Sequence, residues 1–299
     1  MIRHVYAFLL MLTLLASGCR SVGNTPAQIQ KYTGPVEPLD VVVSRFNQNS
    51  QQIQTLWAAG SYEANLVDAK GKKIFVNGDA TLLFGREAKF RLFLNKIGNR
   101  LFDAGSDGSR FWLVGYEGVD TAWVGSLVGF SVREQNDIPV RPDMLLEVLG
   151  LSLVPVDLLN GPIITQRFNP DQDVYMLTFA SVDSKRKDRY VVSREVWLDR
   201  KTFLPTWVFL HDADGQVMLR ARLSGHVPIG KDQGAGKVAR VFDILVPQSG
   251  SKLVLKLLDV RARRGVVPSA ASFAFSPERA GVGTVIDLDL PSHGPIPRD

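Results

Sequence analysis

Between Leu56 and Leu94 the chain alternates apolar and polar residues with a period of two, interrupted only at turns. Leu56, Ala58, Gly60, Tyr62, Ala64 and Leu66 share one parity, while Ser61, Glu63 and Asn65 take the other. After a turn at Asp68-Ala-Lys-Gly71 the pattern resumes with Ile74, Val76, Gly78, Ala80, Leu82 and Phe84 opposite Asn77, Asp79 and Thr81. Phe90, Leu92 and Leu94 carry it further. On a helix of 3.6 residues per turn these apolar positions would scatter around the whole circumference, so the segment cannot belong to a helical bundle. One-sided alternation over successive strands predicts an antiparallel meander with one buried and one solvated face. The pattern returns late in the chain. Val217, Leu219, Ala221 and Leu223 oppose Met218, Arg220 and Arg222 after the Asp212-Ala-Asp-Gly215 turn. Further strands are expected at Phe111–Val114 and over residues 174–182, 189–199, 203–211, 238–246 and 252–262.

Two segments have helical spacing instead. Leu39 to Ile53 places Leu39, Val42, Val43, Phe46 and Ile53 near one face, with Asn47, Gln48 and Gln51 on the other. Pro142 to Leu153 starts on an allowed proline and carries Gly150 near its end, and Met144, Leu145, Val148 and Leu149 form its apolar stripe. Trp57 and Phe75 sit opposite the apolar parity of their own strands, so both faces of the sheet carry large apolar groups. A strongly curved sheet filled by helices produces that pattern, and so does a hydrophobic ligand cavity. With no internal repeat, one domain over 38–282 is the simplest division. From Gly283 on, Pro291, Gly294, Pro295 and Pro297 suggest a frayed tail over 283–299.

The amino terminus is of a different kind. Arg3 precedes an apolar run from Val5 to Leu15, small residues Ala16-Ser17-Gly18 follow, and the only cysteine of the chain is Cys19. The run is too short to cross a hydrocarbon core of about 30 Å, and its arrangement is that of a secretory signal peptide over 1–18. Leu15-Ala-Ser-Gly-Cys19 resembles the bacterial lipobox. That resemblance implies diacylglycerol on the Cys19 sulfur and cleavage after Gly18, and Arg20 in place of aspartate resembles lipoproteins sent to the outer membrane. Residues 19–37, with Gly23, Pro26, Gly34 and Pro35, then form a tether whose flexible span is roughly 25 Å.

Composition removes most alternatives. In 299 residues, 45% hydrophobic, there are 35 Lys+Arg against 30 Asp+Glu, an ordinary globular balance. The net charge of +5 is too diffuse to argue for nucleic acid. A lone cysteine excludes an internal disulfide and the Cys-rich zinc sites, and four scattered histidines show no ligand spacing. Neither G-x-S-x-G nor H-E-x-x-H occurs. The loop Gly230 to Val238 has lysine at 231 and valine at 238 where a phosphate loop needs glycine and a hydroxyl. Glu63, Asp79, Glu195 and Asp199 fit the solvent side of their strands. The chain is expected to be no enzyme and to use no cofactor.

The order of elements resembles a known family. A lipobox, a tether, a helix ending near Ile53-Gln-Thr-Leu-Trp57, then Gly60-Ser-Tyr62 and the hairpin through Gly78-Asp-Ala-Thr-Leu82 are similar to the periplasmic lipoprotein carrier and outer-membrane lipoprotein receptor (LolA/LolB-like) superfamily. Lys89-Phe-Arg-Leu92, Asp107-Gly-Ser-Arg-Phe-Trp112 and Arg141-Pro-Asp-Met-Leu-Leu146 extend the likeness over about 38–282. The resemblance implies a mainly β fold, a single unclosed antiparallel β-barrel wrapped around lid helices, with an apolar cavity for acyl chains. Its lining is expected from Leu56, Tyr62, Leu66, Ile74, Val76, Leu82, Phe84, Phe90, Leu92, Leu94, Leu113, Val217, Leu219 and Leu223. Its lid is expected from Met144, Leu145, Val148 and Leu149, and Leu127-Val-Gly-Phe130 is a candidate membrane-contact loop. The function implied is non-catalytic binding or transfer of acyl chains or lipoproteins, with a protein handover partner, at the periplasmic side of the outer membrane. The alternative is an envelope scaffold whose half-barrel is filled by its own side chains and which binds protein partners.

Overall fold

In the computed structural model, residues 32–67, 70–97, 99–115, 121–127, 142–155, 161–183, 186–230, 235–261 and 269–290 are described. The signal segment, Cys19, the tether to residue 31, Val128–Phe130 and the chain from residue 291 lie outside them. The elements are α1 (Leu39–Gln52), β1 (Thr55–Val67), β2 (Lys73–Gly85), β3 (Lys89–Lys96), β4 (Asn99–Asp107), β5 (Arg110–Gly115) and β6 (Thr121–Ser126). After them come α2 (Pro142–Val148), β7 (Ile163–Asn169), β8 (Val174–Val182), β9 (Tyr190–Asp199), β10 (Pro205–His211) and β11 (Val217–Ser224). The short β12 (Val227–Pro228) and β13 (Lys237–Val238), then β14 (Val241–Val246), β15 (Ser251–Arg261), a 3₁₀ turn at Ala270–Phe273, α3 (Pro277–Ala280) and β16 (Thr284–Asp287) complete the described order.

Fourteen strands make one sheet in the order β16-β6-β5-β4-β3-β2-β1-β15-β14-β11-β10-β9-β8-β7. The meander expected from the alternation is present: β1 to β6 pair in sequence, all antiparallel. Its junction with the second half is long-range, because β1 takes β15 as its other neighbour. Strands β7 and β16 remain as separate edges, so the described sheet is unclosed.

Turn chemistry sets the hairpins. Asp107 Oδ1 accepts from the backbone N–H groups of Ser109 at 2.8 Å and Arg110 at 2.7 Å, closing β4 onto β5. Burial would raise the Asp107 carboxyl, but these hydrogen bonds and the Arg110 charge hold it below the usual carboxylate range. Asp212 repeats the device with Asp214 and Gln216 between β10 and β11. Curvature has its own residues. A Cβ at Gly60 would stand 2.0 Å from the Lys256 carbonyl oxygen, and one at Gly78 would stand 1.9 Å from that of Asn95. Gly60 also marks a register shift against β15. Here the backbones approach as only glycine permits, and the sheet coils.

The concave face wraps around α1 and α2. Val42, Val43 and Phe46 of α1 join Leu145, Leu146 and Val148 of α2, and then Leu149, Leu151 and Val154, in one core with the inward strand residues. Helix α2 is shorter than the expected 142–153. Gly150 adopts φ +69°, and Leu151 N–H bonds the Leu146 carbonyl at 3.0 Å, which ends the helix in a left-handed cap.

Three expectations need correction. The proposed tail boundary at 282 cuts through the fold: Thr284–Asp287 form β16, parallel to β6, because a β-prone stretch precedes the proline-rich end. The end of the proposed tether is pinned to the sheet. Glu37 N–H donates to the Tyr175 hydroxyl at 2.9 Å, Gln166 Nε2 donates to the Glu37 carbonyl at 2.8 Å, and the Arg200 guanidinium donates to the Gly34 carbonyl. Finally, Asn47 is not on a solvated face of α1 but only 5% exposed, since the backbone of Val154 supplies partners that periodicity cannot reveal.

A second, smaller core lies on the convex side. Trp112, Val114, Ala122 and Val282 cluster there, and Phe275 stacks on Trp112 with centroids 5.9 Å apart. Residues 275–282 thus pack across the outside of the sheet before β16 joins its edge. Beneath them, Asp103 is fully buried between Arg91 at 2.7 Å and Arg100 at 3.3 Å.

Candidate functional site

The site expected from the sequence is the apolar concave face, and most of its residues come together there. Leu56, Tyr62, Val76, Leu82, Phe84, Phe90, Leu92, Leu94, Leu113, Leu219 and Leu223 are all buried in the main core. Three stand apart. Leu66 and Ile74 are 39% and 37% exposed, because the β1–β2 hairpin outruns its neighbour β3, whose pairing with β2 begins only at Asp79. Val217, at the start of β11 beside the Asp212 turn, is half-buried. Of the residues expected to form a lid, Val148 is 0% exposed, Leu145 8% and Leu149 3%, and Met144 is partly buried against the same core.

The helices are held differently. Helix α1 is tied by two reciprocal side-chain-to-backbone pairs. Asn47 Nδ2 donates to the Val154 carbonyl at 2.9 Å while Val154 N–H donates to Asn47 Oδ1 at 2.8 Å. Asn49 does the same with Lys237, at 3.0 and 2.8 Å. Helix α2 rests on its apolar stripe and on an ion pair from Glu147 to Arg194 at 3.2 Å.

Two clefts open among the described residues. One, of about 800 Å³, lies between α1 and the edge strand β7; Leu39, Val43, Pro155 and Ile164 form its apolar wall, and Asp40, Ser44, Gln48 and Gln51 its polar side. The other, of about 470 Å³, lies between α2 and β8–β10. Met144, Phe179 and Leu210 line it together with Glu147, Arg194 and His211. Arg194 there is 8% exposed, its guanidinium 4.1 Å from the Phe179 centroid. None of the fourteen expected lining residues borders either cleft; Met144, expected in the lid, borders the second.

Sequence reasoning missed Arg194, Glu147 and the Tyr175–Arg200 clamp. Arg194 lies on the inward parity of β9, between Val196 and Val192, and that parity break is the one local signal it leaves. Glu63 pairs with Lys256 at 3.2 Å on the exposed side, as its parity implied. Among the described residues no three His, Cys, Asp or Glu side chains gather as a metal site.

No family model and no curated protein matches the chain. Solved structures do. A DUF1329 family protein from Desulfovibrio piger aligns with TM-score 0.50 at 14% identity, over 83% of this chain and 100% of that one. A LolA superfamily protein from Nitrosomonas europaea aligns with TM-score 0.47 at 11% identity, over 80% and 99%. An outer membrane lipoprotein-sorting protein domain from Vibrio parahaemolyticus gives 0.43 at 15% identity, over 76% and 93%. At such identities a likeness is one of fold alone. The first alignment spans its whole neighbour, and what it shares with this chain is the fold: an unclosed antiparallel sheet curved around helices.

Proposed function

We propose that the chain is an envelope lipoprotein, anchored through acylated Cys19 at the periplasmic side of the outer membrane, which binds or transfers acyl chains of lipids or lipoproteins without catalysis. The observation that most supports this is the seam between α1 and β7. Its cleft of about 800 Å³ falls within the roughly 300–1,000 Å³ of small-molecule sites, and two of its wall residues, Val43 and Ile164, belong to the main core. An acyl chain of about 16 carbons contributes about 10 kcal/mol on burial before ordering costs. Exposing Leu145, Val148 and Leu149 of the lid costs roughly 1.5–3 kcal/mol each. The two are of the same order, so a lid that swings aside for cargo and closes when empty is energetically feasible.

One observation favours the second reading, a self-filled scaffold. Leu145, Leu146, Val148, Leu149, Leu151 and Val154 occupy the concave side, and the expected lining residues pack on them. Native mass spectrometry of protein extracted from membranes in mild detergent separates the two. Co-purifying lipid, or uptake of a fluorescent fatty acid, supports the carrier. A protein that holds no lipid and takes up none is the scaffold.

A further inference from the structure

On the convex face, the hairpin β9–β10 carries an aromatic platform that neither core uses. Val196, Leu198, Val208 and Leu210 point inward and are buried, so Trp197, Trp207 and Phe209 point outward. The three rings pack on one another: Trp197 to Phe209 at 5.2 Å, Trp207 to Phe209 at 5.7 Å and Trp197 to Trp207 at 6.4 Å. They are half-exposed, whereas Trp112 on the same convex side is covered by Phe275. Across the next strand pair, Trp207 faces Arg222 and Phe209 faces Arg220. Both arginines are exposed, and neither forms an ion pair among the described residues. The neighbouring carboxylates are engaged, Asp243 by Lys252 at 3.3 Å and Glu195 by the Trp197 indole N–H at 3.5 Å.

The described end of the tether says what meets this face. Arg200, in the β9–β10 turn three residues beyond Trp197, holds the Gly34 carbonyl, and Tyr175 and Gln166 hold Glu37. Gly34, on the Cys19 side of α1, is therefore held at the rim that carries the platform. Gly34 stands fifteen positions after Cys19, a reach of at most about 50 Å. Tryptophans beside arginines suit a membrane–water interface, where the indole sits at headgroup depth and the guanidinium meets anionic phosphate.

We infer that Trp197, Trp207 and Phe209, with Arg220 and Arg222, form the surface that lies on the anionic bilayer in which Cys19 is anchored. This rests on the anchor proposed above and adds an orientation: the β9–β10 rim toward lipid. The test uses full-length protein from membranes, reconstituted in vesicles of phosphatidylethanolamine and phosphatidylglycerol with brominated acyl chains, which quench nearby tryptophan. Wild-type fluorescence is quenched, and the quenched fraction in Trp197→Phe/Trp207→Phe drops about twofold or more. Arg220→Gln/Arg222→Gln lowers wild-type quenching to the level found with phosphatidylethanolamine alone. Equal quenching in wild type and the tryptophan variant overturns the inference, as does a platform that ignores lipid and responds to soluble chitotriose. The mass of the Cys19 peptide is read on the same sample, so an unmodified Cys19 registers separately, as failure of the anchor.

Discussion

Asn47 and Val154 are hydrogen-bonded in both directions, side-chain amide to backbone amide, inside the core and 107 residues apart in sequence. The pair fixes α1 against the segment that follows α2. Asn47→Ala leaves a buried N–H and a buried C=O without partners, and the expected loss is roughly 2–4 kcal/mol. Urea denaturation measures it. A loss under half a kcal/mol, within the scatter of ordinary surface substitutions, would show the pair to be dispensable.

Asp103 is the keystone of the convex side. It receives Arg91 Nε at 3.0 Å and Nη2 at 2.7 Å and the Trp112 indole N–H at 3.1 Å, while Arg91 Nη1 also donates to the carbonyls of Ser272 and Ala274, both at 3.3 Å. Asp103→Ala strands the largely buried Arg91 and is expected to cost about 3–5 kcal/mol. Hydrogen exchange should quicken over 272–290 before it does in β1–β3. Uniform quickening across the sheet speaks against a strap held by Arg91.

The proposed lid can be pinned where the structure brings the end of α2 close to a strand. A Cβ on Gly150 would stand 3.7 Å from Pro205 Cβ, within the range a disulfide spans. In Gly150→Cys/Pro205→Cys the new side chain at φ +69° costs about 1–2 kcal/mol, which closure of the bridge offsets. The oxidised protein should keep its fold and lose uptake of a fluorescent fatty acid, and dithiothreitol should restore uptake. Undiminished uptake in the oxidised form makes α2 a permanent core helix.

His226 gives the fold a pH dependence. Burial lowers the affinity of its imidazole for a proton and Lys237 adds to this; Asp199 and the hydrogen bond to the Pro205 carbonyl oppose without prevailing. The unfolded chain therefore binds the proton more readily than the native one below about pH 6.5. Stability is complete above that pH and declines as pH falls from it toward the lowered native value. Thermal melts from pH 8 to 5 should show that decline, and His226→Gln should flatten it. An unchanged slope in the variant assigns the effect to other groups.

Cys19→Ser tests the anchor. The variant is expected in the soluble envelope fraction, or uncleaved at the inner membrane. Its persistence with outer-membrane lipids after a high-salt wash counts against the lipobox.

Much of the fold was legible because alternation is local. Phe90, Leu92 and Leu94 point inward at every second position, and no partner strand is needed to predict it. The Asp107 and Asp212 turns are legible for the same reason, since each carboxylate bonds N–H groups only two to four residues away. The same parity fails to bury Leu66 and Ile74, where the strands are as expected but the hairpin extends past its neighbour β3.

The amino-acid sequence by itself determined the meander, its register and its inward face, because these follow from neighbours along the chain. Tertiary structure alone decided that β1 closes on β15, that Asn47 lies in the core, that residues 284–287 complete the sheet, and that Gly34 is held at the β9–β10 turn. Each depends on a backbone group or side chain more than a hundred residues away. The energy of such a contact is realised only once both partners are in place, and no periodicity near either residue records it.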